Sequence, residues 1–110
     1  MEKVSNYNWL YSIPQGWVEL ARKMIEECEA IDSTYYICDL KEKWGVLCVI
    51  SNCDVLYLPE IDIIENKYEK LSARTCCICG KPATKMSTGW ICPYCDDCGD
   101  KDEKFYKRFI

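Results

Sequence analysis

Histidine is absent from the sequence. That removes the commonest general base and proton shuttle together with every His-containing zinc site, and it argues against hydrolytic triads and His-held catalytic metals. No apolar run reaches the roughly 18 residues a membrane span requires. Residues 1–20 contain no basic stretch leading into an apolar one, so no signal peptide is expected. Paired carboxylates, a nucleophile beside a base, and a Gly-rich phosphate loop are all missing from the pattern, so the chain is not expected to be an enzyme. Positive charge does not prevail either. Lys and Arg number 14 against 18 Asp and Glu, for a formal charge of −4, whereas affinity for nucleic acid comes from clustered cations. Internal repeats and low-complexity stretches are also missing.

Cysteine, by contrast, is abundant, with ten among 110 residues. One explanation is a disulfide framework, as in small secreted domains. The other is a reduced, cytoplasmic chain whose cysteines divide between core packing and metal binding. Cys28, Cys38 and Cys48 sit inside apolar periodic stretches, where a free thiol behaves as a small hydrophobe. With no signal peptide expected, the reduced reading is preferred. The composition, 49% hydrophobic and 29% charged, is that of a globular domain. A chain this short buries a modest share of its surface, so a metal staple would add usefully to its stability.

Residues 5–14 form an aromatic leader ending at Pro14. Beyond it, Trp17, Ala21, Met24, Cys28 and Ile31 recur at spacings of 4, 3, 4 and 3, which predicts an amphipathic helix over about 15–31. Two β-rich runs, Thr34 to Leu40 and Val46 to Ser51, flank Lys41-Glu42-Lys43-Trp44-Gly45 and predict an antiparallel hairpin. Asn52-Cys53-Asp54 reads as a turn and Val55 to Leu58 as a short third strand. Pro59 suits the first turn of a second helix, and Ile61, Ile64, Tyr68 and Leu71 extend it over about 59–73. The expected fold class is α+β: two amphipathic helices packed on a small antiparallel hairpin, with a C-terminal four-cysteine zinc ribbon. The expected divisions are a core over 1–74, the ribbon element over 75–98 and a charged, aromatic tail over 99–110. Phe105 and Phe109, four apart, suggest a last helical turn or two docking on the core, in preference to a frayed end.

The ribbon signal lies in two Cys-x-x-Cys knuckles about 15 residues apart. Each knuckle offers two sulfurs from one tight turn, and two turns complete a tetrahedron around one zinc per chain. Gly80 follows the first knuckle and frees its backbone. Cys76 and Cys79 supply the first pair, leaving Cys77 spare. In the second half both Cys92/Cys95 and Cys95/Cys98 have the right gap. Four thiolates leave no open position, so the zinc would be structural. A redox role for Cys-x-x-Cys would want a βαβ setting, which the pattern lacks.

Taken in order, Gly16-Trp17, Lys41-Glu42-Lys43-Trp44-Gly45-x-Leu47, Ser72, Cys76-x-x-Cys79-Gly80, Gly89-Trp90 and Cys95-x-x-Cys98 form a recognisable pattern. Over about residues 15–98 the chain resembles a group of small zinc-ribbon proteins of bacteriophages and prophages. In that group the second knuckle begins five residues after the Gly-Trp tryptophan, so the resemblance implies Cys76, Cys79, Cys95 and Cys98 as the ligand set. It also implies a viral accessory protein working in the cytoplasm of a bacterial host. Two departures stand out: Cys48 occupies a position usually held by arginine, and Trp44 replaces the commoner phenylalanine. Any contact made by that arginine is lost here.

The remaining candidate binding residues are Trp17, Lys41, Lys43, Trp44, Arg74, Lys81 and Trp90. Each has a plainer explanation: Lys41 and Lys43 as a solvated turn, and the tryptophans as packing. Asp96, Asp97, Asp100, Asp102 and Glu103 make an acidic edge near the second knuckle, suited to a basic partner or simply to solvent. The expected function is binding a host protein so as to inhibit or redirect it, in counter-defence or host takeover. The alternatives are a nucleotide-sequestering protein, with Lys41, Lys43, Arg74 and Lys81 around aromatics, and a nucleic-acid-binding ribbon, which the acidic balance disfavours.

Overall fold

The apolar spacings of the sequence become two helices and a hairpin in a computed structural model, which describes residues 5–54, 58–87, 91–98 and 106–108. The leader is a 3-10 helix, Asn6–Ser12, begun by the Ser5 hydroxyl, which accepts the Tyr7 N–H. After Pro14 one further 3-10 turn, Gln15–Trp17, opens into α1, Val18–Ile31. The expected helix therefore starts later in its α form. Ala21, Met24, Ile25 and Cys28 form its buried stripe, while Ile31, expected on that stripe, is 45% exposed at the last turn. Asp32 stops the helix, its carboxylate turned back onto the Thr34 N–H and hydroxyl.

Two strands follow, β1 (Tyr36–Lys43) and β2 (Val46–Asn52), paired antiparallel with Lys43 opposite Val46 and Tyr36 opposite Asn52. The expected five-residue connection is only two residues long. Lys41, Glu42 and Lys43 continue β1, and Trp44 (φ 57°) with Gly45 (φ 80°) makes the turn. Two consecutive positive φ values match the right-handed twist of paired strands, which the commoner turns would splay. A bulge at Cys38 shifts the register between Ile37 and Asp39. The extra residue resets the two-residue alternation, so Ile37 and Leu40, three apart, both reach the core.

The third expected strand falls mostly on residues 55–57, outside the described set. α2 runs Pro59–Ser72 with Pro59 in its first turn. Ile61 and Tyr68 are buried, whereas Leu71 lies outward and Ser72 takes the inner place. α2 packs on α1 and β2, and the leader packs on β1 and α1. The core formed between them joins Trp17, Met24, Ile25, Leu40 and Leu47 to Cys77 and Cys92.

The outward backbone groups of both strands end on side chains. Along β2, the Leu47 N–H donates to Ser72 Oγ at 2.7 Å and the Val49 N–H to Glu69 Oε1 at 3.5 Å. Along β1, the Ile37 N–H donates to Asn6 Oδ1 at 2.8 Å, and Ser12 Oγ donates to the Leu40 carbonyl at 3.1 Å. Asn6 is buried, and its Nδ2 also donates to the Tyr35 carbonyl and to Glu29. A buried amide with all these partners holds the leader against the sheet.

Beyond α2 a second small sheet has the order β4-β3-β5, with β3 at Lys85–Ser87, β4 at Pro93–Tyr94 and β5 at Tyr106–Arg108. The tail thus contributes a strand at 106–108, paired antiparallel with β3, where a helical turn was expected. Phe105 and Phe109 lie outside the described residues. No described helix is long and apolar enough to cross a membrane.

Candidate metal centre

Each cysteine pair sits on a turn fixed by backbone hydrogen bonds. In the first knuckle the Gly80 N–H donates to the Cys76 carbonyl at 3.0 Å and the Cys76 N–H to the Lys81 carbonyl at 2.8 Å. Gly80 has φ 82°, the left-handed conformation that glycine adopts without cost, as its place in the sequence led one to expect. In the second, β4 is paired with β3 just before Cys95, and Thr84 Oγ1 donates to Asp96 at 2.8 Å. The knuckles are tied together by the Cys77 N–H, which donates to the Pro93 carbonyl at 3.0 Å.

The result is a cluster. The Sγ atoms of Cys76, Cys79, Cys95 and Cys98 all lie within 4.8 Å of one another. Cys79 and Cys95 are 3.6 Å apart, close to the roughly 3.8 Å separating two sulfurs on a tetrahedron with 2.3 Å metal–sulfur bonds. Cys76 and Cys95 are buried, Cys98 is half-buried and Cys79 is exposed. Burial pushes the Cys76 thiol up, but backbone N–H groups of Cys79, Cys95 and Ile78 outweigh it and leave the thiol at about 7. Cys98 is pushed up to about 12, first by sharing a proton with Cys79, then by burial and by Cys95 and Cys76. The arrangement is compatible with a metal site of four soft donors.

Cys92, the alternative ligand of the second half, is placed elsewhere. With Cys77 it is buried in the hydrophobic core, away from the four-sulfur cluster. Burial raises the Cys77 thiol, partly offset by hydrogen bonds with Cys92 and Tyr94.

The cluster is fastened to the core by the Gly-Trp pair before α1. The Gly16 N–H donates to the Cys77 carbonyl at 2.9 Å, and Trp17 Nε1 donates to the Thr75 carbonyl at 2.9 Å. A Cβ at Gly16 would stand 2.0 Å from the Cys76 carbonyl oxygen and 2.8 Å from the Gly80 nitrogen. Sequence reasoning did not connect Gly16 to the knuckle. The signal available was the glycine itself, standing before a helix where a capping side chain is usual.

Trp17 is fully buried, so it is part of the core and offers no stacking face. Trp44 has the opposite fate. Expected to pack in the turn, it is 72% exposed, because the turn geometry swings it outward while Gly45 lies against Ile91. Lys41 and Lys43 are exposed on β1, with Lys41 paired to Asp39 at 3.0 Å. Arg74 and Lys81 are exposed beside the first knuckle, and Lys81 faces Asp97 at 3.7 Å. The structure therefore puts the two lysines on the hairpin and the other two cations on the first knuckle. Trp90 lies outside the described residues.

No protein-family model matches the chain. No curated protein matches it. No solved structure matches it.

Proposed function

We propose that the chain is a zinc-stabilised accessory protein of bacteriophage type that binds a host protein in the bacterial cytoplasm and inhibits or redirects it. Trp44 carries this reading. A tryptophan in the left-handed region costs about 1–2 kcal/mol, and 72% of this one faces solvent at the tip of a pinned hairpin. The turn needs that backbone conformation but not a tryptophan, and an exposed ring adds nothing to the fold, whereas exposed tryptophans anchor protein interfaces. The four-sulfur cluster supports zinc as its ion, because four thiolates in a tetrahedron suit that metal and leave no position for water. Zinc here is a staple that holds the two knuckles of the ribbon to each other. The motif resemblance to phage and prophage ribbon proteins supports the viral setting.

The test is native mass spectrometry of protein purified from bacterial cells, with Trp44→Ala beside it. One zinc per chain and a host protein retained by the wild type but lost by Trp44→Ala would support the proposal. Equal retention by both, or none by either, would overturn the role of the tip. A bound nucleotide in place of a protein would move the function to signal sequestration.

A further inference from the structure

The four cysteines of the cluster are not equally exposed. Cys79 is the exposed member, and its side opens on a cleft of about 430 Å³ between α1, α2 and the first knuckle. Gly16, Leu20, Lys23, Tyr68 and Leu71 complete the part of the wall that matters here. The cleft is roomy enough for a small reagent to reach Cys79. Cys76, by contrast, is buried and its sulfur is engaged by three backbone N–H groups. Cys95 is also buried, but its Sγ lies 3.6 Å from that of Cys79, so an S–S bond of about 2.05 Å needs only a small approach.

Building on the zinc reading, we infer that Cys79 is a modification site at which a peroxide converts the metal centre into a Cys79–Cys95 disulfide and releases the ion. The Cys79 thiolate attacks one oxygen of hydrogen peroxide. The O–O bond breaks, hydroxide leaves with the electron pair, and a sulfenic acid remains on Cys79. The Cys95 thiolate then attacks that sulfur, the S–O bond breaks and a second hydroxide leaves. Two thiolates have given up two electrons, the peroxide has taken them, and both hydroxides take up protons to become water. Cys76 and Cys98 would then be the two thiolates left of the four that would hold a cation, too few to retain it.

The zinc-loaded full chain is treated with substoichiometric hydrogen peroxide, free zinc is followed with a chromophoric chelator, and disulfides are mapped by peptide mass spectrometry. Released zinc should track a Cys79–Cys95 cross-link one for one, with exposed Cys38 still open to alkylation. Lys23→Trp, on the exposed rim, should slow release several-fold while zinc content and melting temperature stay unchanged. Release with a different cross-link, or an unchanged rate in rim-filled protein that holds its zinc, would overturn the inference. A purified chain with no zinc before treatment would instead remove the reading on which it rests.

Discussion

Gly16 and Cys77 are joined backbone to backbone, the glycine N–H donating to the cysteine carbonyl at 2.9 Å across a chain separation of about 60 residues. The contact is so close that a methyl group at residue 16 would occupy the space of the Cys76 carbonyl oxygen. Gly16→Ala should therefore push the first knuckle off α1 at a cost of about 3 kcal/mol and weaken zinc retention. Thermal melts and competition with a chelator read both effects. An unchanged melt would mean that the knuckle can shift freely on the core.

The two sets of cysteines should separate cleanly. Cys79→Ser removes one of four clustered donors and should abolish zinc binding and the order of the two knuckles. Cys77→Ser puts a hydroxyl into the core beside Cys92 and should cost about 1–2 kcal/mol while keeping one zinc per chain. Metal analysis of both variants decides the ligand set, and equal zinc contents would refute it.

Ser72 fills the inner position of α2 with a hydroxyl that accepts the buried Leu47 N–H and donates to the Glu69 carbonyl. Ser72→Ala leaves that N–H without an acceptor and should destabilise the protein by about 1–3 kcal/mol. Denaturant unfolding measures the loss, and amide exchange should localise it to Leu47.

Trp44→Asn should leave the fold intact and raise stability by about 0.5–1 kcal/mol, since asparagine tolerates the left-handed turn position that tryptophan occupies at a cost. A falling melting temperature would show that Trp44 packs in solution. If the proposed host protein binds at the hairpin tip, its binding, measured on the same variant, should be lost.

Glu65 accepts from Tyr35 and Ser51 in a half-buried site, and burial raises its carboxyl, with the two hydrogen bonds opposing and Asp62 adding to the rise. Glu69 is raised the same way. A raised folded-state value means that the native chain holds the proton more tightly than the unfolded one. Their contribution is therefore complete below the ordinary carboxylate range and is lost as pH rises through the raised values. Glu65→Gln should flatten this fall. Relative to wild type, its melting temperature should gain as pH rises above the ordinary carboxylate range, and a gain independent of pH would exclude Glu65 as the source.

The sequence disclosed the elements whose periodicity was clean. The stripe from Ala21 to Cys28 and the proline-led start of α2 were legible because packing only had to follow the pattern. The hairpin tip was not, because Lys41-Glu42-Lys43 looks like a loop when its two faces cannot be told apart by hydropathy. Leu71 and Ile31 fit the helical spacing but lie outward in the last turns of their helices, and at the end of α2 it is Ser72 that takes the buried place. The first cysteine pair could be read from spacing, while spacing alone left Cys92/Cys95 beside Cys95/Cys98 and only the motif resemblance favoured the latter pair, which is the one that clusters with Cys76 and Cys79. Asn6 carried no signal at all: a lone asparagine in an aromatic leader reveals nothing of partners at Glu29, Tyr35 and Ile37.

The hairpin also has a colloidal consequence. A two-stranded sheet has two rims, and each is a template on which a foreign strand could grow. Here Asn6 and Ser12 plug one rim, and Ser72 and Glu69 plug the other. Removing a plug does more than weaken the native chain: it uncovers a docking edge for other copies of itself. Loss of solubility at high concentration should therefore begin at these four side chains, ahead of any global melting.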